Sequence, residues 1–265
     1  MLRSSILYAC ETYYNLKETE IRQIERIEEN YMRQLLHTRK GCPLKQMYLE
    51  MGHFPARFDI FKLKLFFLKD ILSQEENSMT AKFFQLQVDN PVKGDWASSC
   101  LKTLKDLNIQ LSLKDIKEMP LYKYKQLVKQ KCKESAFNYL MKKRGSKGLE
   151  INYPHLEMAA YLLPNSVFTI ENQRKLFEIR NKMSDIPSNY CATENNKSKC
   201  VCGHSENMKH IYSCNYLNNE ETDIRYEKVY SENIFEQNMI LRRFENNFEE
   251  RRKYLNKEES PPRDP

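Results

Sequence analysis

Three thiols and an imidazole fall within fifteen residues of this chain, as Cys200-Val201-Cys202-Gly203 and His210-Ile211-Tyr212-Ser213-Cys214. Soft sulfur donors and an imidazole on two short arms are the chemistry of a tetrahedral zinc site. Cys200 and Cys202 make one arm and His210 and Cys214 the other, and a Cys3His set leaves no open position for a reacting water. The expected cofactor is therefore structural Zn2+. His210 and Cys214 stand four residues apart, adjacent on a helix face, and Gly203 suits a tight turn at positive φ. The Cys-x-Cys arm is narrower than the usual gap of two to four residues, so Cys191 and His204 remain alternative donors. Reduced thiols and solvated histidines in a loop are the plainer alternative.

A metal would answer a physical need. The segment around these ligands is rich in Asn, Ser and Lys, and about thirty such residues bury too little apolar surface to offset chain ordering. Zinc binding, at about 10–16 kcal/mol for structural sites, exceeds that deficit.

The elements that must position the site are expected to be helices. With 265 residues the chain can build one sizeable core or two modest ones, and its six glycines disfavour phosphate-cradling loops and many-turned β folds. The fold class is mainly α. Cys10, Cys42, Cys100 and Cys132 are widely spaced, which predicts reduced, buried thiols. The apolar run from Ser4 to Cys10 is too short for a secretory signal. Leu65-Phe66-Phe67-Leu68 and the other apolar runs are far too short to span a bilayer, so no membrane segment is expected and the expected localisation is intracellular, cytoplasm and nucleus.

Apolar residues at Leu16, Ile21, Ile24, Ile27, Tyr31, Leu35 and Leu36 predict a long amphipathic helix with that face buried, ending by Gly41. Pro43 opens a short helix to Met51, with Gly52 beyond it, and Pro55 opens another. Ala56 to Leu72 is apolar enough to be largely buried. Further helices are expected at 97–107, 113–119, 121–143, 155–162 and 170–183. A helical, charge-alternating pattern resumes over 220–256, and 258–265 reads as a disordered end.

The net charge of +7 is concentrated. Between residues 114 and 148 stand eleven Lys or Arg against three acids, a local balance of +8. Lys123, Lys125, Lys129, Lys131, Lys133, Lys142, Lys143, Arg144 and Lys147 are the candidate nucleic-acid-binding residues. Tyr122, Tyr124, Phe137 and Tyr139 are interleaved with them as candidate stacking faces. A solvated lysine face with its aromatics turned inward gives the same pattern. Lys199 and Lys209 add a smaller basic spot beside the thiols, and zinc knuckles do read single strands.

Leu7-Tyr8-Ala9-Cys10-Glu11-Thr12-Tyr13 resembles the Leu-Tyr-Gly-Ser-Glu-Thr-Trp stretch that follows the polymerase palm in non-LTR (LINE-type) retrotransposon reverse transcriptases. Arg33, Tyr48-Leu49-Glu50-Met51-Gly52-His53-Phe54-Pro55, and Cys202-Gly203 with Glu206, His210, Ile211 and Cys214 resemble the thumb and C-terminal zinc-binding region of the same family, in the same order. The sequence departs from the family at Ala9-Cys10, at Tyr13, in the Cys-x-Cys arm and in the three residues between His210 and Cys214. The resemblance implies a thumb-like helical region over 1–90, a basic helical region over 91–185, a zinc knuckle over 186–217, a helical tail over 218–256 and a disordered end at 257–265.

It also implies a partner: nucleic acid, as RNA, an RNA–DNA hybrid or target DNA, with the missing palm domain or self-association as further partners. Two-metal nucleotide transfer needs carboxylates a few ångströms apart, in this family an adjacent aspartate pair. No Asp-Asp dipeptide occurs here, so the expectation is a fragment without polymerase activity. Cys42, His37 and His53 lack an orienting carboxylate, and Glu28-Glu29, Glu75-Glu76, Glu220-Glu221 and Glu249-Glu250 are expected on solvated faces. A helical structural or protein-interaction protein and an inactive remnant stand as the other functional classes.

Overall fold

The computed structural model describes residues 7–12, 16–38, 42–142, 157–181, 200, 202–205, 207–217 and 225–258. The protein is mostly helical, with no strand among the described residues. In chain order the helices are α1 (Glu18–Leu36), α2 (Leu44–Glu50), α3 (Ala56–Leu72), α4 (Met79–Asp89), α5 (Trp96–Asp106), α6 (Leu113–Glu118), α7 (Leu121–Lys142), α8 (Ile170–Arg180), α9 (Met208–Ser213) and α10 (Ile234–Glu258). Short 3-10 turns lie at Cys10–Thr12, Ala160–Leu162 and Tyr226–Tyr230. No described helix is long and apolar enough to cross a membrane.

Polar caps set most of the starts. The side chains of Ser78, Asp95, Ser112, Thr169 and Asn207 each accept a backbone N–H from the first turn of α4, α5, α6, α8 and α9, which satisfies a donor that has no partner inside the helix. The end of α1 differs from expectation. The helix stops at Leu36, where His37 takes a left-handed conformation (φ 47°), and Thr38 N–H returns to the Arg33 carbonyl. Gly41 lies outside the described residues.

Two apolar cores result. The local core packs Phe58, Leu65, Leu68 and Ile71 of α3 against α4, α5, α6 and the first four turns of α7. The composite core gathers the end of α1, Cys42, α2, Leu140 of α7, Ala159, Tyr161, α8, Cys200, α9, Cys214, the Tyr226–Tyr230 turn and α10. Packing thus crosses positions 90, 185 and 217. Helix α7 joins the cores through its buried residues Tyr124, Val128, Cys132, Ala136 and Leu140, spaced strictly by four. Each step of four overshoots a full turn by about 40°, so the buried stripe winds round the helix and passes from one core to the other.

The buried face of α1 departs in part from the sequence expectation, which holds for Ile21 and Leu36. Ile21, Glu25, Glu28, Met32 and Leu36 point inward, while Ile27, Tyr31 and Leu35 are 50%, 43% and 43% exposed. The two buried carboxylates find donors elsewhere in the chain. Glu25 takes Arg57 Nε at 2.6 Å, and Glu28, expected on a solvated face, takes the Tyr48 hydroxyl and the Ala56 N–H, both at 3.2 Å. With those donors in place the carboxylates can be buried without an unsatisfied charge.

Other segments also depart from expectation. Helix α4 was not anticipated. Residues 157–159 are extended where a helix was predicted from 155, with Met158 bridging Met51, and only Ala160–Leu162 turns as a 3-10 segment; His155 lies outside the described residues. Gly52 explains that bridge. At φ 62° it lets the backbone of Met158 approach to where a Cβ would meet Met158 N at 2.2 Å, a place for glycine alone. Helix α8 ends at Arg180, with Asn181 leaving the helical conformation at φ −98° and ψ 10°; the remainder of the expected helix, to 183, lies outside the described residues. The helix expected from 220 begins at Ile234, and it is not solvent-exposed: Gln237, Ile240, Leu241, Arg243, Phe244 and Asn247 are buried. Residues 259–265 lie outside the described residues. Cys10, Cys42, Cys100 and Cys132 are all buried and unpaired, as expected.

Candidate metal centre

The loop that carries the first arm is closed by its own backbone. Cys200 N–H donates to His204 O at 2.9 Å, and Cys200 O accepts from Gly203 N–H at 2.7 Å. Gly203 has φ 82° with open space around it, so the glycine is needed for its conformation and not for room. Asn207 Oδ1 then accepts the His210 N–H at 2.9 Å and starts α9. Met208, Ile211 and Tyr212 of this short helix enter the composite core, which leaves His210 and the following Cys214 turned toward the loop.

Both arms converge. The donor atoms of Cys200, Cys202, His210 and Cys214 all lie within 4.8 Å of one another. Cys200 Sγ is 3.6 Å from Cys214 Sγ, and Cys202 Sγ is 3.1 Å from His210 Nε2. A tetrahedron with Zn–S bonds of about 2.3 Å has sulfur–sulfur edges of about 3.8 Å, so the set fits a zinc-sized ion. Cys200 and Cys214 are buried, while Cys202 and His210 are half-buried. Of the alternative donors, His204 is exposed and stacks on the His210 ring at 5.6 Å, outside the quartet; Cys191 lies outside the described residues.

The thiols differ electrostatically. Burial pushes Cys200 up to about 12. Burial also acts upward on Cys202, but hydrogen bonds from His204 and from the neighbouring thiols bring it down to about 6. The protein alone therefore favours a thiolate at Cys202 over one at Cys200. A thiolate at Cys200 needs the field of a cation, and metal binding there must release its proton.

The basic stretch is only partly a surface. Lys123, Lys129, Lys133 and Lys142 are exposed. Lys125 is half-buried with Nζ 5.4 Å over the Phe66 ring, Lys131 pairs with Glu134 at 2.9 Å, and Lys133 comes within 4.0 Å of Glu157. Lys143, Arg144 and Lys147 lie outside the described residues. Three of the four expected stacking faces are withdrawn: Tyr124 is fully buried, and Phe137 and Tyr139 pack against the cores. Their positions follow the winding buried stripe of α7. Tyr122, 67% exposed, keeps its ring outside, on one helical line with Gln126, Lys129 and Lys133. Lys209 is exposed and pairs with Glu227 at 2.8 Å.

Two residues beside the metal centre escaped the sequence reading. Arg243 Nε donates to Tyr212 O at 2.8 Å, and Asn247 Nδ2 donates to Ile211 O at 2.6 Å. Asn247 continues the apolar spacing of Ile240 and Phe244, and an amide at such a position was the available sign of a buried polar role. Comparison with family models, curated proteins and solved structures finds no match to this chain.

Proposed function

We propose that Cys200, Cys202, His210 and Cys214 hold a structural Zn2+, and that the chain is a nucleic-acid-binding module that polymerises nothing by itself. The convergence of four soft donors from two arms carries this reading, because three thiols and an imidazole at tetrahedral spacing suit zinc and leave no catalytic vacancy. The zinc fixes the loop and α9 against the composite core and supplies no reaction. The phosphate-binding surface is the exposed line of α7, where Tyr122 offers a stacking face and Lys129 and Lys133 offer charge, with Lys123 and Lys142 beside it. The resemblance to the thumb and zinc region of LINE-type reverse transcriptases supports RNA, an RNA–DNA hybrid or target DNA as the partner.

Two measurements test this. Metal analysis is expected to give one zinc per chain, lowered by Cys202→Ser and His210→Ala and unchanged by His204→Ala; a metal-free wild type would sink the zinc assignment. Affinity for a single strand should fall with salt at a log–log slope near −3 for about four phosphate contacts, and substituting Lys129 and Lys133 by Gln should reduce that slope by about 0.7 for each phosphate left without its lysine. Binding that ignores salt rejects the surface.

A second reading, a protein-interaction module, draws on the exposed Ile27, Tyr31 and Leu35 of α1. Spaced by four, they form an apolar line. Light scattering showing a monomer at all concentrations, with no partner retained on that face, counts against it.

A further inference from the structure

We propose that Asn247 and Arg243 of α10 are positioning residues for the metal centre, setting the direction in which Cys214 and His210 present their donor atoms. This rests on the zinc reading above and adds to it a device in a part of the chain some thirty residues downstream of the last ligand.

The geometry begins with the shortness of α9. A helix of six residues leaves its last carbonyls without partners inside the helix. Two of them, Ile211 O and Tyr212 O, are met from α10. Asn247 Nδ2 lies 2.6 Å from Ile211 O and 3.4 Å from Tyr212 O, and Arg243 Nε lies 2.8 Å from Tyr212 O. The Arg243 guanidinium also sits 5.2 Å over the Tyr212 ring, and Phe244, from the same face of α10, packs on that ring at 5.4 Å. Immediately beyond these carbonyls the chain leaves the helix, with Cys214 extended at φ −73° and ψ 114°. The peptide planes on either side of Ser213 are therefore the last joints before the Cys214 thiol, and α10 grips the first of them by its carbonyl, Tyr212 O. His210, within α9, is fixed by the same grip.

The chemistry of Asn247 separates this role from ordinary packing. The residue is fully buried, yet its Oδ1 has no hydrogen-bond partner among the described residues. A leucine of similar volume would fill the same space without an orphaned acceptor. An amide is favoured there only through what its N–H groups do, and they bind the end of α9. Groups that hold ligands without touching the metal contribute about ten- to a hundredfold to metal affinity, by reducing the ordering that binding would otherwise require.

The experiment uses the full chain. Zinc affinity is measured by competition with a chromophoric chelator, and coordination geometry by the visible ligand-field bands of the Co2+-loaded protein. Asn247→Leu is expected to weaken zinc about tenfold and to alter the Co2+ bands while the metal stoichiometry stays at one. Arg243→Met is expected to do the same and serves if Asn247→Leu does not fold; Arg243→Lys, which keeps a donor within reach of Tyr212 O, should restore most of the affinity. Val128→Ala, a cavity in the other core, controls for general destabilisation. Variants with wild-type affinity and wild-type Co2+ bands would overturn the proposal, as would an equal loss in Val128→Ala at matched thermal stability. A wild type that takes up no zinc would instead remove the zinc reading itself, so the two failures are told apart by the wild-type titration.

Discussion

The local core draws its side chains from one continuous stretch, Phe58 to Ala136, whereas the composite core draws from Met32 to Phe244. In the first, neighbours in sequence are neighbours in space, and apolar side chains supply most of the contact beside two buried lysine hydrogen bonds, Lys64 to Ser99 Oγ and Lys69 to Lys117 O: each fully buried Leu or Phe contributes about 1.5–3 kcal/mol. In the second, segments must meet across more than a hundred residues, and closing such loops costs entropy that rises with length. Directional polar anchors accompany that closure. Glu50 receives Arg180 Nε at 2.9 Å and the Tyr161 hydroxyl at 3.2 Å, Arg180 donates to Val229 O at 2.7 Å, and the Cys3His quartet joins two more segments. Long-range assembly in this protein adds charged and metal-type anchors to apolar area, and local assembly rests more on area.

Metal removal is the largest test of that contrast. With zinc in the quartet, as proposed, chelation should disorder the region around it, since structural zinc sites supply about 10–16 kcal/mol. The near-ultraviolet circular dichroism of Tyr212 and Tyr226, in the composite core, is expected to collapse. Trp96 is the single tryptophan, and it packs on Phe67 and Phe84 at the local core, so its fluorescence should hold. If the two signals vanish together, the cores form one cooperative unit and the contrast fails.

Next in size is Arg180→Met. The ion pair with Glu50 is essentially inaccessible to solvent on both sides, so removing the cation strands a buried carboxylate at a cost of about 3–5 kcal/mol. Pairing the change with Glu50→Gln should recover part of the loss in a denaturant titration. No recovery would mean that Arg180 acts mainly by packing on Tyr161 and Tyr230.

The smallest effect sharpens the local core. Lys64 is buried there, its Nζ 2.8 Å from Ser99 Oγ, and burial holds its ammonium below the usual lysine range. A depressed folded-state value means that the folded protein sheds this proton before the unfolded chain does. The stability linked to Lys64 is thus fully gained above the unfolded value and lost as pH falls through the folded one. Lys64→Met should raise stability by about 1 kcal/mol at neutral pH and remove that alkaline gain. Thermal melts showing an unchanged pH profile would contradict this.

How much was legible in the sequence follows the same division. The metal quartet could be read because its four donors share fifteen residues, where covalent spacing nearly fixes spatial spacing. Helices α3 and α7 could be read from their length and apolar content. Helix α4 carries a readable cap in Ser78, but its apolar residues spread around its circumference and blur the period. The orientation of α1 was hidden, because glutamates look like a solvated face until Arg57 and Tyr48 arrive from another part of the chain.

By itself, then, the sequence determined the helical class, most helix ends and the cluster of candidate metal donors, all properties that a few neighbouring residues impose on their own backbone. Tertiary structure alone decided which face of each helix is inside, which lysines and tyrosines remain outside, and that α10 holds the end of α9. Burial and hydrogen-bond partnership depend on groups distant in the chain, and they are settled when the buried carboxylates and carbonyls find their donors.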